Sequence, residues 1–105
     1  MKRHKYRAVP TTVDGIRFPS KAEARRYGEL KILESAGKIT NFQLQPEFPI
    51  KINGKLVCTY RADFIYFTPQ QRVIEDVKGV RTAVYKLKKK MVEAYYPGVK
   101  IVEIR

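Results

Sequence analysis

Two carboxylates and a lysine carry the chemistry that this sequence offers. Asp63 lies in Tyr60-Arg61-Ala62-Asp63-Phe64-Ile65, in the middle of the longest strand-like run, where a strand facing only a core would not place an acid. Asp76 lies in Val73-Ile74-Glu75-Asp76-Val77-Lys78-Gly79. Strand residues two apart share a face, so Asp76 and Lys78 project together while Glu75 faces away. A short turn joins the two runs, which predicts a hairpin with Asp63 across from Asp76. Two neighbouring carboxylates either share a proton or hold a cation. Oxygen donors without cysteine or a usable histidine select Mg2+ or Mn2+ over zinc. A lysine beside such a cation can orient or deprotonate a water and offset charge on a pentavalent phosphate. Those are the parts of phosphodiester hydrolysis. The plainer reading makes each acid a solvated strand end or a salt-bridge partner, and spacing alone does not choose between the two.

The rest of the chain bounds the partner. Among 105 residues, 22 Lys plus Arg stand against 10 Asp plus Glu, a net charge of +12. That surplus favours a polyanion: nucleic acid first, an anionic membrane surface second. With 44% hydrophobic residues the chain is too apolar for a disordered tail. No apolar run is long enough to cross a bilayer, and none follows the basic start as a signal peptide requires. The one cysteine, Cys58, cannot form an internal disulfide, which fits a reducing cytoplasm. One cysteine and one histidine, His4, cannot complete a structural zinc site. Cys58 reads as a small buried hydrophobe, and His4 has no assignable role.

One domain is expected over residues 11–105, preceded by a basic arm over residues 1–10. Asp14-Gly15 marks a tight turn between Thr11-Thr12-Val13 and Ile16-Arg17-Phe18. Ser20 is a natural N-cap, Glu23 stands three residues on as in a capping box, and Gly37 supplies the stop of a helix. Ala24, Tyr27, Leu30 and Ile32-Leu33 form its apolar stripe, leaving Arg25, Arg26, Glu29, Lys31 and Glu34 to solvent. Strands are predicted at Ile39–Leu44, Phe48–Ile52, Leu56–Phe67 and Arg72–Lys78, with a hairpin turn at Asn53-Gly54. A second helix over Arg81–Tyr96 has Val84, Leu87, Met91, Val92 and Tyr95 at helical spacing, and a strand over Val99–Ile104 follows. The expected fold is α/β: a mixed α+β sheet flanked by helices.

Asp63 followed by Asp76-Val77-Lys78 resembles the PD-(D/E)xK nuclease signature, and the element order resembles the αβββαβ core of that restriction-endonuclease-like superfamily. Ser20-Lys21-Ala22-Glu23, the helix behind it and Gln45-Pro46 resemble small phage and transposon endonucleases of this group. These include the phage endonuclease I-type Holliday junction resolvases and, closer still, small uncharacterised phage proteins. The resemblance runs from Phe18 to Ile104. It implies that Asp63 is the central metal ligand, Asp76 the second and the Val77 carbonyl a third, with Lys78 positioning or activating the attacking water. It also implies that Glu23 adds an acid to the metal site and that Gln45 supports it, although a capping box explains Glu23 without catalysis. Ala62 stands where the simplest form of the signature has proline.

The implied protein is a Mg2+- or Mn2+-dependent DNA endonuclease that cuts branched DNA, such as a Holliday junction, in phage DNA metabolism in the host cytoplasm. Symmetric cutting of such a junction calls for a homodimer. A nicking or end-processing nuclease, and a non-catalytic DNA-binding or packaging accessory protein, remain as alternatives. The expected DNA contacts come from three groups: Lys2, Arg3, Lys5 and Arg7 in the arm; Lys21, Arg25 and Arg26 beside Glu23; and Lys86, Lys88 and Lys89 on the second helix. The run from Lys86 to Lys90 wraps more than half a helical turn, so its members cannot all face one duplex. With no helix-turn-helix motif, phosphate contacts should dominate, giving weak sequence preference and steep salt dependence.

Overall fold

Two residue pairs set the hairpins of the molecule. Asp14 and Gly15 have φ of 53° and 75°, Asn53 and Gly54 of 51° and 79°. Positive φ at both central residues gives the turn whose twist matches paired strands, and Asx-Gly adopts it at least cost. The first turn joins β1 (Thr11–Val13) to β2 (Ile16–Phe18); the second joins β4 (Glu47–Ile52) to β5 (Lys55–Arg61). The computed structural model describes residues 8–105, so Lys2, Arg3, Lys5 and Arg7 lie outside the described residues.

Helix α1 (Lys21–Ser35) begins where expected, with the Ser20 hydroxyl accepting the Glu23 N–H at 3.1 Å. It ends as Gly37 turns left-handed at φ 74°, letting Lys38 N–H reach Leu33 O at 2.9 Å. Its buried side is Glu23, Ala24, Tyr27 and Leu30. Ile32, read as part of the apolar stripe, is 70% exposed, because five residues past Tyr27 is roughly 140° around the helix.

The main sheet has the order β3-β6-β7-β8, from β3 (Thr40–Leu44), β6 (Phe64–Phe67), β7 (Arg72–Val77) and β8 (Ile101–Ile104). Its first two junctions are antiparallel; β8 runs parallel to β7 after the crossover through helix α2 (Ala83–Tyr95). The fold is therefore a mixed α/β sheet, as the element order predicts. Alternation along β7 separates two apolar clusters. Ile74 packs with Tyr60, Tyr85, Val92 and Ile101 on the α2 side, while Val73 and Val77 pack with Phe18, Tyr27, Leu30 and Phe64 on the α1 side.

Two expectations need correction. The run Leu56–Phe67 is not one strand: it breaks at Ala62-Asp63, so β5 pairs only with β4 while β6 enters the main sheet. The β4–β5 hairpin is thus an insertion into an otherwise α1-β3-β6-β7-α2-β8 core. Its stem is closed by backbone bonds, Ala62 N–H to Pro46 O at 3.1 Å and Gln45 N–H to Asp63 O at 2.9 Å. In α2, the residues facing the sheet are Tyr85 and Val92, whereas Val84 and Leu87 are 64% and 57% exposed. Of the expected stripe Val92 is buried and Met91 packs beside it, while Val84, Leu87 and Tyr95 are exposed and Tyr85 takes the inner face in the first turn. Among the described residues, no helix is long and apolar enough to cross a membrane.

Candidate active site

The break at Ala62-Asp63 delivers the first acid. Phe64 pairs with Glu75 and Ile65 with Ile74, so one further step of the register brings Asp63 beside Asp76. Asp63 N–H donates to Glu75 O at 3.0 Å, and Val77 N–H donates to Asp63 Oδ2 at 2.7 Å. The expected juxtaposition is present, but Asp63 stands at a sheet-switching bend rather than within a continuous strand. Burial foremost, then the neighbouring Asp76, pushes the Asp63 carboxyl up to about 8, while the Val77 N–H opposes the rise.

Asp76 is only 1% exposed. The Tyr60 hydroxyl donates to its Oδ2, and its Oδ1 makes no hydrogen bond although the Lys78 ammonium stands 2.9 Å away. Lys78 in turn lies over the Tyr85 ring, 4.4 Å from its centre, and the Tyr85 hydroxyl donates to Glu103 at 2.8 Å. Tyr60 and Tyr85 thus hold the acid and the lysine of the signature. In the sequence neither tyrosine carries a mark of this role beyond a hydroxyl on an apolar body.

Glu23 reaches the same centre from the first turn of α1. It is 7% exposed, and burial foremost, followed by Asp76, raises its carboxyl while Lys78 pulls it back down. Only half of a capping box is built: Ser20 accepts the Glu23 N–H, but among the described residues the Glu23 carboxylate makes no return bond to Ser20. Gln45 sits at φ 51° immediately before Pro46, where extended backbone is the norm. This left-handed conformation costs about 1 kcal/mol or more. Gln45 lines a cavity of about 280 Å³ with Glu23, Asp63 and Arg17.

Two larger cavities meet at Lys78. One, of about 480 Å³, is lined by Ser20, Lys21, Glu23, Arg25, Val77 and Lys78 among others, which puts Val77 at the edge where its carbonyl was expected to serve. The other, of about 450 Å³, lies between β5 and α2 and includes Lys88. Three expected DNA contacts fall elsewhere. Arg26 is bound to Glu75 through Nε at 2.8 Å and Nη2 at 2.6 Å, and its Nη1 is 3.0 Å from Glu29. Those carboxylates occupy the donors a phosphate would need. Lys86 and Lys89 line a separate cavity of about 220 Å³ with Glu93 and Glu103, because they leave α2 on a different side from Lys88.

Among the described residues, no three histidine, cysteine or acidic side chains stand close enough to form a finished cation cage. Asp63, Asp76 and Glu23 form an open cluster, with Lys78 as the lysine among them. Asp76 raises the proton affinity of both Asp63 and Glu23, and clustered carboxylate oxygens of this kind are donors that suit a hard divalent cation.

A family model described as "Protein of unknown function (DUF1064)" matches residues 3–105. No curated protein and no solved structure matches the chain.

Proposed function

The chain belongs to the DUF1064 family, whose description assigns no activity, and on that premise we propose that it is a Mg2+- or Mn2+-dependent DNA endonuclease of the PD-(D/E)xK type. One observation carries this reading: Asp76, 1% exposed, is crowded by the carboxyls of Asp63 and Glu23, and its Oδ1 is paired at 2.9 Å with the partly exposed Lys78 ammonium. A purely structural ion pair at that depth has no need of two further carboxyls crowded against it.

Asp63 and Asp76 would hold the ion, with Glu23 and the Val77 carbonyl completing its protein ligands. When bound, the ion would polarise the phosphodiester and make its water a better nucleophile. Tyr60 fixes Asp76 by Oδ2 and so presents Oδ1 to the site. Lys78, held by Asp76 and the Tyr85 ring, donates to the attacking water or to a phosphate oxygen as negative charge develops there. Lys21 and Arg25 hold the neighbouring phosphate from the rim of the α1 cavity. The resemblance to phage endonuclease I-type resolvases directs the substrate to branched DNA in the cytoplasm of a phage-infected host, and a four-way junction cut symmetrically would engage two copies.

The test is a panel of four-way junction, flap and duplex DNA with Mg2+ or Mn2+. Cleavage that disappears in Asp63→Asn and Lys78→Ala, with binding retained, supports the proposal. If the unmodified protein binds but cuts none of them, it is a DNA-binding accessory protein instead.

A further inference from the structure

We propose that the cavity between β5 and the first half of α2 is a second phosphate subsite, holding the nucleic-acid backbone on the side of Lys78 away from α1. The inference rests on the nucleic-acid reading above and goes beyond it by assigning a path to the strand. The cavity has a volume of about 450 Å³, which suits one nucleotide unit, and its polar lining includes Thr59, Arg61, Lys78, Thr82 and Lys88. Three of these are cations, and no carboxylate lines it.

The cations are incompletely matched within the protein. Lys88 Nζ reaches only the Thr59 carbonyl, at a long 3.4 Å, and forms no salt bridge among the described residues. Its helix neighbours Val84 and Leu87 offer an ammonium nothing. Arg61 gives one Nη2 bond to Glu47 at 2.7 Å, leaving further guanidinium donors. Thr82 Oγ1 accepts the Tyr85 N–H at 3.1 Å, and its own proton is still available. The cavity on another side of α2 shows the opposite arrangement: Arg81, Lys86, Lys89 and Lys90 share it with Glu93 and Glu103, and Lys89 and Arg81 pair with them at 3.3 and 3.4 Å. That cavity carries its counter-charges in its own lining, whereas Glu47 and Asp76, which pair with Arg61 and Lys78 at 2.7 and 2.9 Å, lie outside the lining of the β5–α2 cavity, and Lys88 has no carboxylate partner among the described residues.

Lys78 lines both the β5–α2 cavity and the α1 cavity. A strand with one phosphate held by Lys21 and Arg25 and a later one held by Arg61 and Lys88 therefore crosses Lys78 between them. The two subsites brace the reacting bond from both directions.

The probe is a fluorescein-labelled 16-nucleotide single strand, and its duplex, titrated by anisotropy in EDTA between 50 and 200 mM KCl. Arg61→Ala/Lys88→Ala is compared with Lys86→Ala/Lys90→Ala; circular dichroism checks the fold. Arg61 and Glu47 are both more than half exposed, so losing their bridge should leave the fold intact. Two lost phosphate contacts should flatten the single-strand salt slope by about 1.4 and weaken binding roughly tenfold at 100 mM. Lys86→Ala/Lys90→Ala should change the slope by less than half as much. An unchanged slope in Arg61→Ala/Lys88→Ala, or an equal change in both pairs, overturns the subsite. A protein that binds through this cavity yet cuts nothing in Mg2+ or Mn2+ keeps the subsite and loses the nuclease reading. One that binds neither oligonucleotide loses both.

Discussion

Glu75 and Asp76 are adjacent on β7, both 1% exposed, and treated in opposite ways. Glu75 points to the α1 side, where Arg26 grips both carboxylate oxygens and Tyr66 donates to one of them. Every lone pair that matters has a partner. Asp76 points to the α2 side, where Tyr60 donates to Oδ2, the partly exposed Lys78 pairs with Oδ1 at 2.9 Å, and the carboxyls of Asp63 and Glu23 crowd it. Crowding several carboxyls in a buried place is expensive, and an external cation would relieve it. The two acids separate support from chemistry at neighbouring residues, and both sides of that division can be broken.

The largest effect is expected at Asp76. Asp76→Asn should lower cleavage of any substrate the protein cuts by about a thousandfold or more. Its melting temperature at pH 8 should change little, since crowding with Asp63 and Glu23 is relieved while Lys78, which loses its partner, is 28% exposed and can turn to water. Loss of activity together with a large loss of stability would make Asp76 a structural acid after all.

Glu75→Gln should do the reverse. Arg26 loses its charge partner in a half-buried site, and urea or thermal unfolding should show about 2–3 kcal/mol of destabilisation. Cleavage per folded molecule should stay within a few-fold, so an equal collapse of activity would abolish the contrast.

Protons should report the same mismatch. Asp63 has its carboxyl raised from 3.8 to about 8 in the fold, so between those values the folded state keeps a proton that the unfolded chain has lost. Its contribution to stability is therefore greatest below pH 4 and is lost as pH rises through 8. Melting curves without metal should fall over that window, and Asp63→Asn should flatten them. Mn2+ should raise the melting temperature more at pH 8 than at pH 5. A metal effect larger at pH 5 would contradict the deprotonated ligand set.

The smallest effect is expected at Tyr60→Phe. Loss of its hydroxyl should cost about 1 kcal/mol of stability and reduce Mn2+ affinity, read by calorimetry, roughly threefold to tenfold. Tyr66→Phe, the matching deletion on the Glu75 side, should leave Mn2+ affinity unchanged.

Residue types and the period of two were enough to bring Asp63, Asp76 and Lys78 together and to put Glu75 on the other face. Local turn and cap signals likewise fixed both Asx-Gly hairpins and the start of α1. What stayed hidden was long-range or lacked a local mark. Arg26 has the ordinary spacing of a solvated helix residue, and its partner is 49 positions away. The break at Ala62-Asp63 carries neither glycine nor proline, so a run rich in β-formers read as one strand. On α2 the exposed Val84 and Leu87 are as apolar as the buried Val92, and hydropathy alone could not orient the helix.

The closed stem of the β4–β5 hairpin has an evolutionary consequence. Since the chain leaves the main sheet at Gln45-Pro46 and returns at Ala62-Asp63 through reciprocal backbone bonds, the segment between them behaves as a cassette. A lineage can lengthen, shorten or redecorate its Asn53-Gly54 tip without moving Asp63, because the stem alone sets the re-entry point. Tyr60 bonds a site acid, and Phe48 and Ile50 are buried in the α2-side core, so a replacement hairpin would inherit the centre only by keeping all three while its tip varied.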